Sequence, residues 1–77
     1  MITFHRFNLS DVDDPEIYAA HPIWEWENSD QGLWCMEHST IPVSYRIITD
    51  HNIFGYRVDI YGDLTPADQT FFSLKWN

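Results

Sequence analysis

Residues 23–38, IWEWENSDQGLWCMEH, hold the densest set of side chains in the chain that could do chemistry. They combine three glutamates with one cysteine and one histidine, beside three tryptophans. Such a set could bind a metal ion, activate a thiol nucleophile, or use two carboxylates as general acid and base. The choice depends on which of these side chains share a face.

The residues able to bind a metal ion lack a diagnostic spacing. The sequence contains no cysteine pair, no histidines four residues apart and no calcium-binding loop. Glu37 and His38 are adjacent, and neighbours on a strand point to opposite faces. We therefore predict no metal site and no cofactor, and keep a metal-binding or hydrolytic protein as an alternative. The possible ligands are His5, His21, Cys35, Glu37, His38 and His51.

Catalysis by Cys35 or by paired glutamates is not expected either. The strand pairing predicted below places Glu25, Glu27 and Glu37 around the thiol. Negative charge raises a thiol pKa, which makes the nucleophilic thiolate rarer. Glu25 and Glu37 could divide acid and base roles, but 77 residues leave little room for a substrate cleft. We predict no catalytic residue and no enzyme.

A β-hairpin is the element predicted to position these side chains. A type I turn at Asp30–Gln31, followed by Gly32 in the left-handed conformation, is typical of a three-residue hairpin loop. Alternation then separates two faces, with Glu25 directly across from Glu37. The predicted core face holds Trp24, Trp26, Trp34, Met36 and His38. The opposite face holds Ile23, Glu25, Glu27, Leu33, Cys35 and Glu37.

The segment before this hairpin is predicted to contain one strand and one short helix. Ile2–Leu9 alternates as an edge strand, with Ile2 and Phe4 on one face and Phe7 and Leu9 on the other. Asp14 is a plausible helix N-cap, with Pro15 at the first helical position. Pro22 disfavours helix at the residue before it. We therefore predict a helix of about two turns near residues 15–21.

A second hairpin is predicted in residues 43–61, where turn residues 49–52 separate two alternating runs. One face forms an apolar ladder across the two strands. The other face is expected to be solvated. The predicted cross-strand pairs are Ile48–Ile53, Ile47–Phe54, Tyr45–Tyr56, Val43–Val58 and Ile41–Ile60. The predicted solvated residues are Ser44, Arg46, Arg57, Asp59 and Tyr61.

The last segment favours a helical turn near residues 66–69, followed by a strand carrying Phe72, Leu74 and Trp76. This strand would pair with residues 56–60. Together these elements predict a single acidic α+β domain over residues 1–77, with a small, mostly antiparallel sheet of about five to six strands, two hairpins and one short N-terminal helix. A small β-barrel is the alternative.

The net charge limits the possible partners more than any sequence motif does. Twelve acidic against four basic residues give a net charge of −8, and no lysine or arginine occurs between Arg6 and Arg46. Such a field repels phosphate backbones, so we expect no direct nucleic-acid binding. One cysteine, no signal-peptide pattern and no long apolar run predict a cytoplasmic protein without a membrane span.

The leading expectation is a non-catalytic, acidic protein-binding module, an inhibitor or nucleic-acid mimic. Its partner would be a basic protein, and the favoured kind is a nucleic-acid-binding protein or complex. By analogy at the level of protein class, the chain resembles the small inhibitors that phages and other mobile elements encode. The alternative is a homo-oligomeric structural or accessory subunit that associates through exposed aromatics or an edge strand. The predicted partner-binding residues are Asp11, Asp13, Asp14, Glu16, Glu25, Glu27, Asp30 and Glu37.

Overall fold

Three helices and three strands make up the computed structural model, which describes residues 1–50, 52 and 55–76. In chain order they are β1 (Ile2–Leu9), α1 (Pro15–Glu27), α2 (Asp30–His38), β2 (Ser44–Asp50), β3 (Gly55–Gly62) and α3 (Pro66–Trp76). The strands form one antiparallel sheet in the order β1-β3-β2. The architecture is α+β, but the prediction of five to six strands with one helix is wrong. The barrel is also wrong, since β1 and β2 are edges of an open sheet.

The core lies between one face of the sheet and the helices. Phe4 of β1 and Ile60 of β3 are buried there with Trp26 of α1 and Cys35 of α2. Phe72 of α3 is half-buried and packs against this cluster. The Phe4 ring stacks 6.3 Å from the Trp26 ring, centroid to centroid. Large aromatic side chains therefore hold a thin core together, as a chain of this length requires.

β1 is an edge strand with the predicted bounds, but its predicted faces are wrong. Thr3 pairs with Tyr61 and His5 pairs with the next residue, Ile60, so Phe4 is an additional residue in a β-bulge. A bulge changes which side chains point inward beyond it. Ile2, Phe4 and Phe7 consequently all pack into the core.

The predicted hairpin of residues 23–38 is wrong, because this stretch is helical. Asp14 does cap α1, accepting a hydrogen bond from the backbone N–H of Ile17. The helix nevertheless continues through Pro22 to Glu27. Proline removes one helical hydrogen bond. Ala19 before it and Trp26 after it are both buried, and the Trp26 ring packs on Phe4 of the sheet.

A tight corner joins α1 to α2. The Ser29 hydroxyl caps α2 by accepting a hydrogen bond from the N–H of Gly32 at 3.1 Å. The indole N–H of Trp26 donates to the Gln31 side chain at 2.8 Å. A Cβ on Gly32 would overlap the Trp26 carbonyl oxygen. Glycine is therefore needed for close helix approach and not for the predicted turn.

Helical periodicity redistributes the side chains that the hairpin prediction had sorted. Cys35, predicted on the acidic face, is fully buried in the core. Trp24 and Met36, predicted in the core, are 59% and 39% exposed. Only Trp26 of the predicted core face is fully enclosed, while Trp34 is half-buried. Residues three or four apart share a face here, whereas the prediction used a period of two.

The second predicted hairpin exists as β2 and β3, but its register is wrong. Tyr45 pairs with Ile60, and Ile47 pairs with Val58. These partners, and Arg57 opposite Ile48, lie four residues beyond the predicted ones. Val43 and Ile41 precede β2, and the predicted partners Ile53 and Phe54 lie outside the described residues. A shift by an even number leaves every side chain on its predicted face. The side chains of β2 and β3 therefore keep their predicted faces despite the wrong register, although the predicted solvation of the polar face is wrong for Asp59, which is buried.

The C-terminal segment is helical throughout. The predicted helix start is confirmed at Pro66, where the Thr65 hydroxyl accepts a hydrogen bond from the N–H of Asp68 at 3.3 Å. The predicted strand after it is wrong, since α3 continues to Trp76. β3 is already paired on both edges, so a returning strand has no free edge there to join.

Candidate binding surfaces

The eight predicted partner-binding carboxylates do not form a row on a sheet. Seven of them are exposed and Glu27 is half-buried. Glu25 and Glu37, predicted to face each other, belong to two different helices. Asp11, Asp13 and Asp14 precede α1. Glu16, Glu25 and Glu27 lie on α1, and Asp30 and Glu37 lie on α2.

No lysine or arginine neutralises these carboxylates in the part of the chain that the structure describes. Within the described residues, the one ion pair among these carboxylates joins Glu25 to His21, one helical turn away. Some have a local role as well: Asp14 caps α1, and Glu16 and Asp30 lie in first turns, where the helix dipole favours negative charge. Their charge nevertheless remains available to a partner.

The side of α1 that faces away from the sheet is apolar as well as acidic. Ile17 and Trp24, seven residues apart, are 68% and 59% exposed. Tyr18 is also exposed, and His21 stacks on Trp24 with 6.0 Å between ring centroids. We name this surface the α1 outer face; it consists of Ile17, Tyr18, His21, Trp24 and Glu25.

The sequence does not predict the α1 outer face, because Pro22 favours a helix that ends before it. The signal was present in the spacing of Ile17, His21 and Trp24, which places them on one helical side. The pattern is hidden because α1 has a second apolar side, on which Ala19 is buried and Ile23 and Trp26 pack into the core. A helix that is apolar on two sides gives only a weak amphipathic signal.

An open groove of about 690 Å³ runs between β1 and the corner of α1 and α2. Aromatic side chains of Phe7, Trp26 and Trp76 line it, together with the carboxylates Glu25 and Asp30. His5 also lines it, stacked 6.3 Å from Trp26, and burial lowers the pKa of its imidazole. This groove combines an apolar floor with acidic side chains.

Cys35 and His38, the other potentially reactive side chains of residues 23–38, lie in different surroundings. Burial raises the pKa of the Cys35 thiol to about 12, so the thiolate is rare at neutral pH. Burial, rather than the neighbouring carboxylates of the predicted hairpin, is therefore the cause of the raised pKa. His38 stacks on Trp34 at 4.4 Å and lies 3.4 Å from the Asp68 carboxylate of α3. Among the described residues, which exclude His51, no three potential ligands are grouped to hold a metal ion.

The sheet face turned away from the helices carries the main basic cluster. Asp59, predicted to be solvated, is completely buried beneath three arginines. Arg6 Nε lies 2.8 Å from Asp59 Oδ1, Arg46 Nε lies 3.3 Å from Oδ2, and Arg57 Nε lies 3.2 Å from Oδ1. Burial alone would raise the pKa of Asp59, but the hydrogen bonds and charges of the arginines outweigh it and lower that pKa.

Comparisons with protein-family models, with curated proteins and with solved structures gave no match. Within residues 1–50, 52 and 55–76, the helices are too short and too polar to cross a membrane.

Proposed function

We propose that this protein is a non-catalytic binding module whose α1 outer face and neighbouring carboxylates bind a basic surface of a partner protein. The partner surface would be of the kind that otherwise binds nucleic acid. One observation carries the proposal: exposed carboxylates without lysine or arginine partners surround exposed aromatic and aliphatic side chains on one helix.

The two kinds of side chain would contribute differently to binding. Trp24 and Ile17 are large apolar groups that lose contact with water in a complex, and tryptophan is common among residues that dominate binding energy. The carboxylates act at longer range, since complementary charge accelerates association and disfavours acidic competitors. An apolar centre with charged surroundings is the usual anatomy of an interface.

Absence of catalysis and a cytoplasmic location belong to the same proposal. The buried Cys35 supports the first, because its raised pKa leaves no activated thiol. The single cysteine supports the second, because small secreted domains usually depend on disulfides.

Salt-dependent capture tests this function. Immobilised protein is incubated with a cell lysate, and bound proteins are eluted with increasing salt or with duplex DNA as competitor. The expected partner is basic, elutes with rising ionic strength and is displaced by DNA, because both ligands would occupy one basic surface. An acidic partner, or one that stays bound through the whole salt gradient, contradicts the proposal.

Two charge-reversed variants localise the surface. Glu25→Lys changes the α1 outer face, whereas Asp50→Lys makes the same change in charge at the end of β2. We expect Glu25→Lys to abolish capture and Asp50→Lys to preserve most of it. Equal loss in both variants would mean that only net charge matters, and would contradict a defined binding surface.

Self-association is a second candidate, favoured by a different observation. Leu74 of α3 is 82% exposed and Leu33 of α2 is 54% exposed, and both β1 and β2 have an unpaired edge in the described sheet. Exposed leucines and free strand edges are typical of contacts between chains. Light scattering over a range of concentrations tests this candidate, and a monomer at every concentration contradicts it.

A further inference from the structure

The sheet face opposite the helices carries mostly polar side chains, and the strand register determines which of them are neighbours. The cross-strand row Arg6–Asp59–Arg46 runs through its centre. Neighbouring rows flank it on both sides. These rows are Thr3–Tyr61–Ser44 and Asn8–Arg57–Ile48. We name this surface the arginine face; it gathers three of the four basic residues of the chain.

Asp59 orients the arginines without using up their hydrogen-bonding capacity. Arg6 and Arg46 both reach its carboxylate through Nε. Within the described residues, this leaves the terminal nitrogens Nη1 and Nη2 of both groups for another acceptor. The side chains of Arg6 and Arg46 are 52% and 43% exposed, so such an acceptor can approach from solvent.

Arg46 is held by a second contact. Its guanidinium carbon lies 5.6 Å from the centre of the Tyr61 ring, within cation–π range. Arg57 donates a hydrogen bond from Nη2 to Asp59 Oδ2 at 3.4 Å, and its buried Nε lies 3.2 Å from Oδ1 without hydrogen-bond geometry. The cluster is therefore fixed in place before any ligand arrives, which lowers the entropy lost on binding.

We propose that the arginine face binds the phosphoryl group of a small phosphate monoester, a site separate from the protein-binding function proposed above. Three guanidinium groups around one carboxylate leave two positive charges uncompensated. A phosphate monoester carries about −1.5 to −2 charges at neutral pH, so it matches that excess better than a carboxylate does. The planar guanidinium fork also fits phosphate oxygens in a two-pronged contact.

The surroundings favour a compact ligand over a nucleic-acid strand. Asp50 ends β2, and Asp63, whose carboxylate lies 3.9 Å from the N-terminal ammonium, follows β3 at the opposite end of the sheet. A phosphate backbone extending beyond the arginines would approach these carboxylates and the overall charge of −8. Screening limits that repulsion to about 8 Å at physiological salt, so a single phosphoryl group avoids most of it.

Titration with phenyl phosphate tests this site in the unmodified protein. The side-chain Nε–H signals of the arginines are followed by nuclear magnetic resonance. We expect the signals of Arg6, Arg46 and Arg57 to shift together with one saturation curve. Inorganic phosphate should produce the same pattern, since the phosphoryl group supplies the contacts. Unchanged arginine signals at about 20 mM ligand would overturn the proposal, since they mean a binding free energy weaker than roughly −2.3 kcal/mol.

A matched pair of variants separates a built site from general electrostatics. Arg46→Ala and Lys75→Ala each remove one positive charge, but Lys75 lies on α3. Arg46→Ala should weaken phenyl phosphate binding by roughly tenfold or more, whereas Lys75→Ala should leave it unchanged. Arg46→Lys should recover only part of the affinity, because an ammonium group lacks the fork. Equal weakening by Arg46→Ala and Lys75→Ala would contradict the site.

An oligonucleotide without terminal phosphates tests whether the arginine face binds a nucleic-acid strand instead of a compact ligand. We expect a ten-residue thymidine strand to bind more weakly than phenyl phosphate at the same ionic strength. Tighter binding of the strand, with shifts at the same arginines, would show a polyanion surface and overturn the proposal of a compact ligand.

Discussion

Carboxylates serve opposite purposes on the two sides of this molecule. On the arginine face, Asp59 is completely buried and contacted by three guanidinium groups. On the α1 outer face, Glu25 is exposed, and its ion-pair partner in the described part of the chain is His21. A burial difference of this size decides what each group does: a buried charge must be paired to be tolerated, whereas an exposed one is already solvated by water.

Chain order explains why the two surfaces differ. Antiparallel pairing aligns Arg6 and Arg46 with Asp59 although 40 residues separate the two arginines in sequence. Every residue of α1 and α2 falls within that interval, which has no lysine or arginine. The strands therefore collect the positive charge, and the helices between them carry the negative charge.

Removing the buried carboxylate should have the largest effect. Asp59→Asn leaves three arginines close together without their counter-charge. Breaking a buried ion pair costs about 3–5 kcal/mol, and partial exposure of the arginines favours the lower end, so we expect a loss of about 3 kcal/mol in the free energy of unfolding. Urea denaturation of both proteins measures the difference.

Asp13→Asn is the matched control for this substitution, because it makes the same chemical change at an exposed position. Its free energy of unfolding should stay within about 0.5 kcal/mol of the original. If the two variants lost similar stability, the contrast between buried and exposed carboxylates would be wrong.

The same contrast predicts an acid dependence of smaller size. Because the pKa of Asp59 is lower in the folded chain than in the unfolded chain, its stabilising contribution is complete above the ordinary aspartate pKa of about 3.9. The contribution is lost as the pH falls below that value through the folded-state pKa. Urea denaturation between pH 7 and pH 2 should therefore show an acidic decline that is shallower in Asp59→Asn. An unchanged slope in that variant would contradict this assignment.

Alternation in the sequence predicts the sheet well where both strands alternate. β1 has the predicted bounds, and the faces of β2 and β3 are correct because an even register shift preserves them. The register itself depends on the turn and on packing with β1, which no local pattern contains. The bulge at Phe4 is equally invisible, since it is defined by pairing with residues almost sixty positions away.

The sequence predicts which carboxylates form the acidic surface, but not how they are arranged in space. Trp24, Glu25, Trp26 and Glu27 alternate as a strand would, and this pattern outweighed the helix signals. Ser29 as an N-cap, with Asp30 in the first turn and His38 in the last, was the available evidence for α2. The burial of Asp59 could not be foreseen, because it needs Arg6 from a strand that the predicted hairpin did not include.

The smallest effect is expected at Trp24, which the prediction had placed in the core. Trp24→Ala removes a side chain that is 59% exposed, and we expect a change of less than about 0.5 kcal/mol in the free energy of unfolding. Trp26→Ala, two residues away on the same helix, removes a buried ring and should cost about 3 kcal/mol or more. Thermal and urea unfolding of both variants measures this difference. If Trp24→Ala lost more than about 1 kcal/mol, Trp24 would contribute to folding, and its exposure would no longer support a role in binding.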